Sequence, residues 1–111
     1  MRLQLALNVD DLGASIDYYQ KLFGVEPHKR RVGYANFVVE QPALKLVLFE
    51  NPGAAEKLNH LGVEVLDPDL LEREGRRLHD AGIVDSVETE TTCCHAVQNK
   101  YWSSAPNGTR W

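Results

Sequence analysis

The phrase Gln4-Leu-Ala-Leu-Asn-Val-Asp-Asp11 returns 56 residues later as His60-Leu-Gly-Val-Glu-Val-Leu-Asp67, and this internal repeat narrows what the chain can fold into. Leu61 falls over Leu5, Val63 over Leu7 and Val65 over Val9, so both copies alternate apolar with polar or small side chains, the period of a half-buried strand. Each copy runs into a helix signal. After Asp10 and Asp11, good N-caps, Ile16, Tyr19, Leu22 and Phe23 recur at helical spacing, and Gly24 offers a left-handed stop. After Asp67 comes Pro68 in the first turn; Leu71, Leu78 and Ala81 supply the stripe to be buried, and Gly82 closes the helix. Strand-like runs follow at residues 34–40 and 44–50, separated by a Gln41-Pro42 turn, and at residues 96–103. Residues 51–57, opening Asn51-Pro52-Gly53, read as a linker. The expectation is an α+β fold of two βαβββ modules, about 1–52 and 57–111. In the second, Pro106-Asn107-Gly108 turns into a last strand that is cut short at Trp111.

With 111 residues, 43% hydrophobic and 25% charged, the chain suits one domain and is too short for two independent cores. Twelve basic against 16 acidic residues give a net charge of -4, which argues against nucleic acid or anionic lipid as partner. The basic run Lys29-Arg30-Arg31 reads as a solvated loop. No segment approaches the roughly 20 apolar residues that span a bilayer, and no signal-peptide pattern opens the sequence, so a cytoplasmic protein is expected. The two cysteines, Cys93 and Cys94, are adjacent. A disulfide between neighbours is strained, so both are expected to be thiols in a reducing compartment.

The repeat also points to chemistry. If the modules pack about a pseudo-twofold axis, the equivalent positions Gln4 and His60 approach one another. An amide oxygen and an imidazole suit a divalent first-row metal with open positions, Fe(II) or Mn(II) rather than a closed thiolate zinc site. The plainer alternative is a hydrogen-bonded strand histidine and an unremarkable glutamine. His28, His79 and His95 have no partner in register, and the first two read as exposed. Cys93 and Cys94 can turn together towards one soft ion such as trivalent arsenic or Cd(II); equally, they are small apolar residues at a strand edge. Tyr34, Phe37, Tyr101 and Trp102 line a ligand cup or belong to the core.

A strand carrying a ligand, then Asp10-Asp11-Leu12, a helix with Tyr18-Tyr19 ending Leu22-Phe23-Gly24, and later Asn59-His60-Leu61-Gly62-Val63-Glu64, resembles the glyoxalase, bleomycin-resistance and extradiol-dioxygenase superfamily. Within it, Gln4 in place of the usual first histidine, Gly33-Tyr34-Ala35-Asn36-Phe37, Leu44-Lys45-Leu46-Val47-Leu48 and Thr91-Thr92-Cys93-Cys94 resemble the carbon-arsenic lyases and the related cadmium-induced proteins. The resemblance implies the cup-shaped sheet of the vicinal-oxygen-chelate fold. It implies a nonhaem Fe(II) held by Gln4, His60 and a carboxylate directly after Arg110-Trp111, one position beyond this sequence; Glu50, at the far end of another strand, is a poor substitute. It further implies dioxygen as co-substrate, and Cys93 and Cys94 gripping a trivalent organoarsenical whose carbon-arsenic bond is cleaved to arsenite. The partner would be a small organoarsenical or thiophilic metal(loid), and the protein a monomer or homodimer. Two other functions fit the pattern: sequestration of Cd(II) or As(III) without turnover, and a different small-molecule enzyme of the same fold.

Overall fold

The computed structural model describes residues 1–93 and 96–111, the side chains of residues 90–98 excepted. The elements are β1 (Arg2–Val9), α1 (Leu12–Phe23), β2 (Lys29–Arg31), β3 (Tyr34–Val39), β4 (Leu44–Glu50), β5 (Leu58–Glu64), α2 (Pro68–Asp80), β6 (Ser86–Cys93) and β7 (Ala96–Trp102). The first five form a βαβββ module and the rest repeat it as far as βαββ. A hairpin follows, in which Ser104 bridges Arg110 and Ser103 exchanges two backbone hydrogen bonds of 2.8 Å with Trp111. The expected α+β architecture of repeated modules is the one observed.

The chain divides into two compact units, Met1–Glu64 and Val65–Trp111. The first holds a five-stranded sheet of order β2-β3-β4-β1-β5. β1 runs parallel to β4, and the other pairs are antiparallel. Parallel strands cannot be joined by a tight hairpin, and α1 lies in the crossover connection. Asp11 caps this helix, its Oδ1 accepting the Ala14 N–H at 3.0 Å, and Gly24 ends it at φ 68°. Between these stops Leu12 and Ile16 pack with Ala35, Phe37, Val39, Leu46 and Leu48, and Leu5, Leu7, Val9, Tyr19 and Phe23 surround them. Each such large side chain contributes about 1.5–3 kcal/mol when fully buried, which fixes the odd positions of β1 on the helix side. Leu22, expected in the same stripe, is exposed instead. Glu50 also serves the helix, its Oε2 accepting the Leu12 N–H at 2.8 Å.

The second unit contains α2 and the β6–β7 hairpin. Asp67 caps α2 by accepting the Asp69 N–H at 2.9 Å, with Pro68 in the first turn. The expected stripe needs one correction. Leu71 and Leu78 are half-buried, but Ala81 is the exposed C-cap, and the buried position of the helix is Gly75. The Tyr101 ring of β7 occupies the place where a Cβ on Gly75 would project.

Two strands fall where the sequence gives little sign of them. Lys29–Arg31 is not a loop but a short edge strand on β3, its backbone paired while Arg30 and Arg31 stay exposed. β6 has the sequence Ser-Val-Glu-Thr-Glu-Thr-Thr-Cys, polar on both faces, so no apolar alternation announces it. Among the described residues, no helix is long and apolar enough to cross a membrane.

Candidate functional site

Successive strand residues point to opposite faces, so with Leu5, Leu7 and Val9 turned to α1, Gln4, Ala6 and Asn8 occupy the other face of the sheet. On β5, Gly62 stands opposite Gln4 and His60 opposite Ala6. Gln4 and His60 therefore take diagonal corners of a four-residue square whose other corners, Ala6 and Gly62, carry the two smallest side chains. Diagonal cross-strand neighbours lie about 7–8 Å apart, a span that two side chains of this length can close around one ion with bonds of about 2.0–2.2 Å. A Cβ at Gly62 would already touch the Gln4 Cβ at 3.9 Å, so a larger residue there would fill the space beside the glutamine.

The histidine is held from its own strand. Pairing between β1 and β5 slips beyond Ala6, where Leu7 faces Leu58 and Asn59 is the extra residue, a bulge that turns the chain beside His60. Asn59 Oδ1 lies 2.7 Å from His60 Nδ1. The Asn59 amide nitrogen donates to Asn8 Oδ1 at 3.1 Å, and Asn51 donates to the same oxygen at 2.7 Å. Asn8 in turn donates to the Glu56 carbonyl at 2.9 Å.

One rung beyond Gly62, Glu64 lies between two cations. Arg2 Nε donates to its Oε1 at 2.9 Å, and Lys45 Nζ contacts its Oε2 at 2.9 Å. Burial pushes the Glu64 pKa up, but its hydrogen bonds to Lys45 and Arg2 outweigh that and hold it below the usual carboxylate value. Both carboxylate oxygens are thus engaged. Glu50 belongs to the helix side of the sheet, away from Gln4 and His60. Among the described residues, no three His, Cys, Asp or Glu side chains cluster closely enough to hold a metal. The Gln4 amide oxygen and a His60 ring nitrogen are donors of the kind that suit Fe(II) or Mn(II) with further positions left open.

Of the aromatic candidates, Phe37 is fully buried on the α1 side and lines nothing. Tyr34 shares the Gln4 face, its ring 5.7 Å from Phe49, and its hydroxyl accepts the Asn36 amide at 2.9 Å. Tyr101 packs on Gly75, and the Arg110 guanidinium lies 3.9 Å from the Trp102 ring centroid, both inside the second unit. His28 and His79 are exposed, as expected. Cys93 ends β6 in register with Ala96, whereas Cys94 lies outside the described residues.

A family model described as the Glyoxalase/Bleomycin resistance protein/Dioxygenase superfamily matches residues 3–111. The chain belongs to that superfamily. The cadmium-induced protein CadI of Mycobacterium tuberculosis (strain ATCC 25618 / H37Rv) is 56% identical over 110 residues, covering 99% of this chain and 72% of CadI. A trivalent organoarsenical cleaving enzyme of Thermomonospora curvata is 51% identical over 111 residues, 99% of this chain and 74% of that one. The crystal structure of a superfamily member from Vibrio splendidus 12B01 shares the fold with a TM-score of 0.62 at 17% identity, covering 98% of this chain and 92% of that one. The resemblance to cadmium-induced and organoarsenical-cleaving members of the glyoxalase superfamily thus extends over nearly the whole chain.

Proposed function

We propose that this chain is an Fe(II)- and dioxygen-dependent enzyme that cleaves the carbon-arsenic bond of trivalent organoarsenicals and releases arsenite. The observation that carries the reading is the diagonal Gln4–His60 pair with small corners, in a chain half identical to an organoarsenical cleaving enzyme. The Gln4 amide oxygen and a His60 ring nitrogen would hold the ion, and Ala6 and Gly62 leave room above the strands for it. Both ligands are neutral, so the reading includes as third ligand the carboxylate that the resemblance places directly after Trp111. When bound, Fe(II) supplies the redox chemistry by which dioxygen oxidises the bond.

The thiols of Cys93 and Cys94 take the substrate by its arsenic. Each exchanges for a hydroxyl on trivalent arsenic, forming an As–S bond and releasing water, so that two bonds fix the attached carbon. Thiols that do this work must stay reduced, which agrees with a cytoplasmic setting.

The test is anaerobic reconstitution with Fe(II), then an organoarsenite and air, with arsenic speciation of the products. It is run on this chain and on one extended through the third carboxylate. The extended chain is expected to release arsenite, and Cys93→Ser with Cys94→Ser to abolish release; undiminished release from the double variant would remove the thiols from the mechanism. The 56% identity to a cadmium-induced protein favours a second reading, sequestration of Cd(II) or As(III) by the thiols. Tight arsenical binding with no arsenite from either chain would establish it over the first.

A further inference from the structure

We propose that Lys45 is a positioning residue for Gln4: its ion pair with Glu64 crosses over β1 beside the glutamine and leaves the amide the direction of His60. The inference rests on the reading of Gln4 and His60 as the metal-holding pair. On the face turned away from α1, Lys45 of β4 stands opposite Gln4, and Glu64 of β5 stands opposite Arg2. β1 lies between those two strands, yet Lys45 Nζ is 2.9 Å from Glu64 Oε2. With strands about 4.8 Å apart and residues about 3.3 Å along them, the two backbone positions are roughly 10 Å apart across the sheet and 7 Å along it. Neither side chain spans that distance alone, so the two meet above β1, in the gap between Arg2 and Gln4; Leu3 beneath them turns its side chain to the other face.

The surroundings of Gln4 are thereby unequal. The lysine stem closes the β4 side, and the Lys45–Glu64–Arg2 contacts close the end towards Arg2, whose Nε donates to Glu64 Oε1 at 2.9 Å. Ala6 on the same strand and Gly62 across the rung carry the least bulk, and His60 lies diagonally beyond them. The Lys45 and Glu64 side chains are only 18% and 14% exposed. Replacing both members of a buried ion pair by apolar side chains of similar volume is often neutral or stabilising, so cohesion of the sheet alone does not call for charges here. What a charged pair adds is direction: it holds the lysine stem on one course across β1. A glutamine has three staggered wells at χ1 and three at χ2, so restriction to one combination is a gain of up to about ninefold in the population ready to ligate.

The experiment reads the Gln4 χ1 rotamer of the metal-free chain from three-bond NMR couplings to its Cγ, and then titrates Co(II). Wild type is expected to show one rotamer. Lys45→Ala with Glu64→Gln removes one charge of each sign and leaves the net charge as it was; it should average the Gln4 couplings and weaken Co(II) binding about three- to tenfold. Lys45→Arg, which keeps a cation within reach of Glu64, should retain both the rotamer and the affinity. Lys45→Met with Glu64→Gln serves if the first pair of substitutions does not fold. In a Gln4→Ala background the same pair should leave the Co(II) affinity unchanged, because the effect acts through the glutamine. Averaged couplings in wild type, couplings that no folded variant changes, undiminished affinity where they do average, or a further loss in the Gln4→Ala background overturns the inference. If wild type takes up no Co(II), the metal reading fails separately, and the couplings alone decide whether Lys45 directs Gln4.

Discussion

His60 owes its orientation to three asparagines that share no strand register. Because the Asn59 amide nitrogen is committed to Asn8 Oδ1, itself also engaged by Asn51, the Asn59 carbonyl turns to His60 Nδ1. That arrangement favours the proton on Nδ1 and, under the proposed function, leaves Nε2 as the nitrogen that would take the metal. Asn59→Ala is expected to weaken divalent-metal binding 10- to 100-fold in a Co(II) or Fe(II) titration. In the metal-free protein, nitrogen NMR should show His60 losing its single tautomer. Unchanged affinity and tautomer would deny Asn59 this part. Gln4 and His60 were legible in the sequence because the repeat carries them in register, and the register survives in the sheet as a diagonal. The asparagine chain was not, because it depends on a bulge, and alternation contains no mark for one extra residue.

Among elements, the helices were the most legible, since a cap or stop is a local signal. Asp11, Gly24 and the Asp67-Pro68 pair act where their chemistry places them. β2 and β6 were hidden because their side chains are mostly polar and show no apolar alternation, although each pairs with the strand that follows it in sequence. α2 was misread at two positions: Ala81, expected in the buried stripe, is the exposed C-cap, and Gly75 was passed over because a glycine inside a helix looks like a cost and not a contact. Gly75 is that contact. Gly75→Ala gains up to about 1 kcal/mol of helix propensity, but its methyl overlaps the Tyr101 ring, and overpacking of this kind costs about 1–3 kcal/mol. Urea denaturation should therefore show net destabilisation; a stabilised variant would mean that the ring yields freely.

For the first unit as a whole, the Arg2–Glu64–Lys45 cluster joins three strands, β1, β5 and β4, with one carboxylate. The Glu64 pKa is lowered on folding, so its stabilisation is complete above its ordinary value of 4.5 and is lost as pH falls through the lowered folded value. Glu64→Gln is expected to cost about 1–3 kcal/mol at neutral pH and to flatten the fall in stability from about pH 5 downward. Equal acid dependence of the two proteins in denaturant titrations would exclude the cluster as the cause. The strand order carries a different consequence. β1 is the first strand made, yet it occupies an interior place between β4 and β5. One neighbour is complete only at Glu50 and the other at Glu64, so within this sheet the strand made before the others waits longest for its partners. Gln4 and His60 come to share a face only when β5 has docked. Under the proposed function, metal capture at this pair would follow assembly of the sheet and could not guide it, and an ion held there would certify that synthesis has passed the fifth strand.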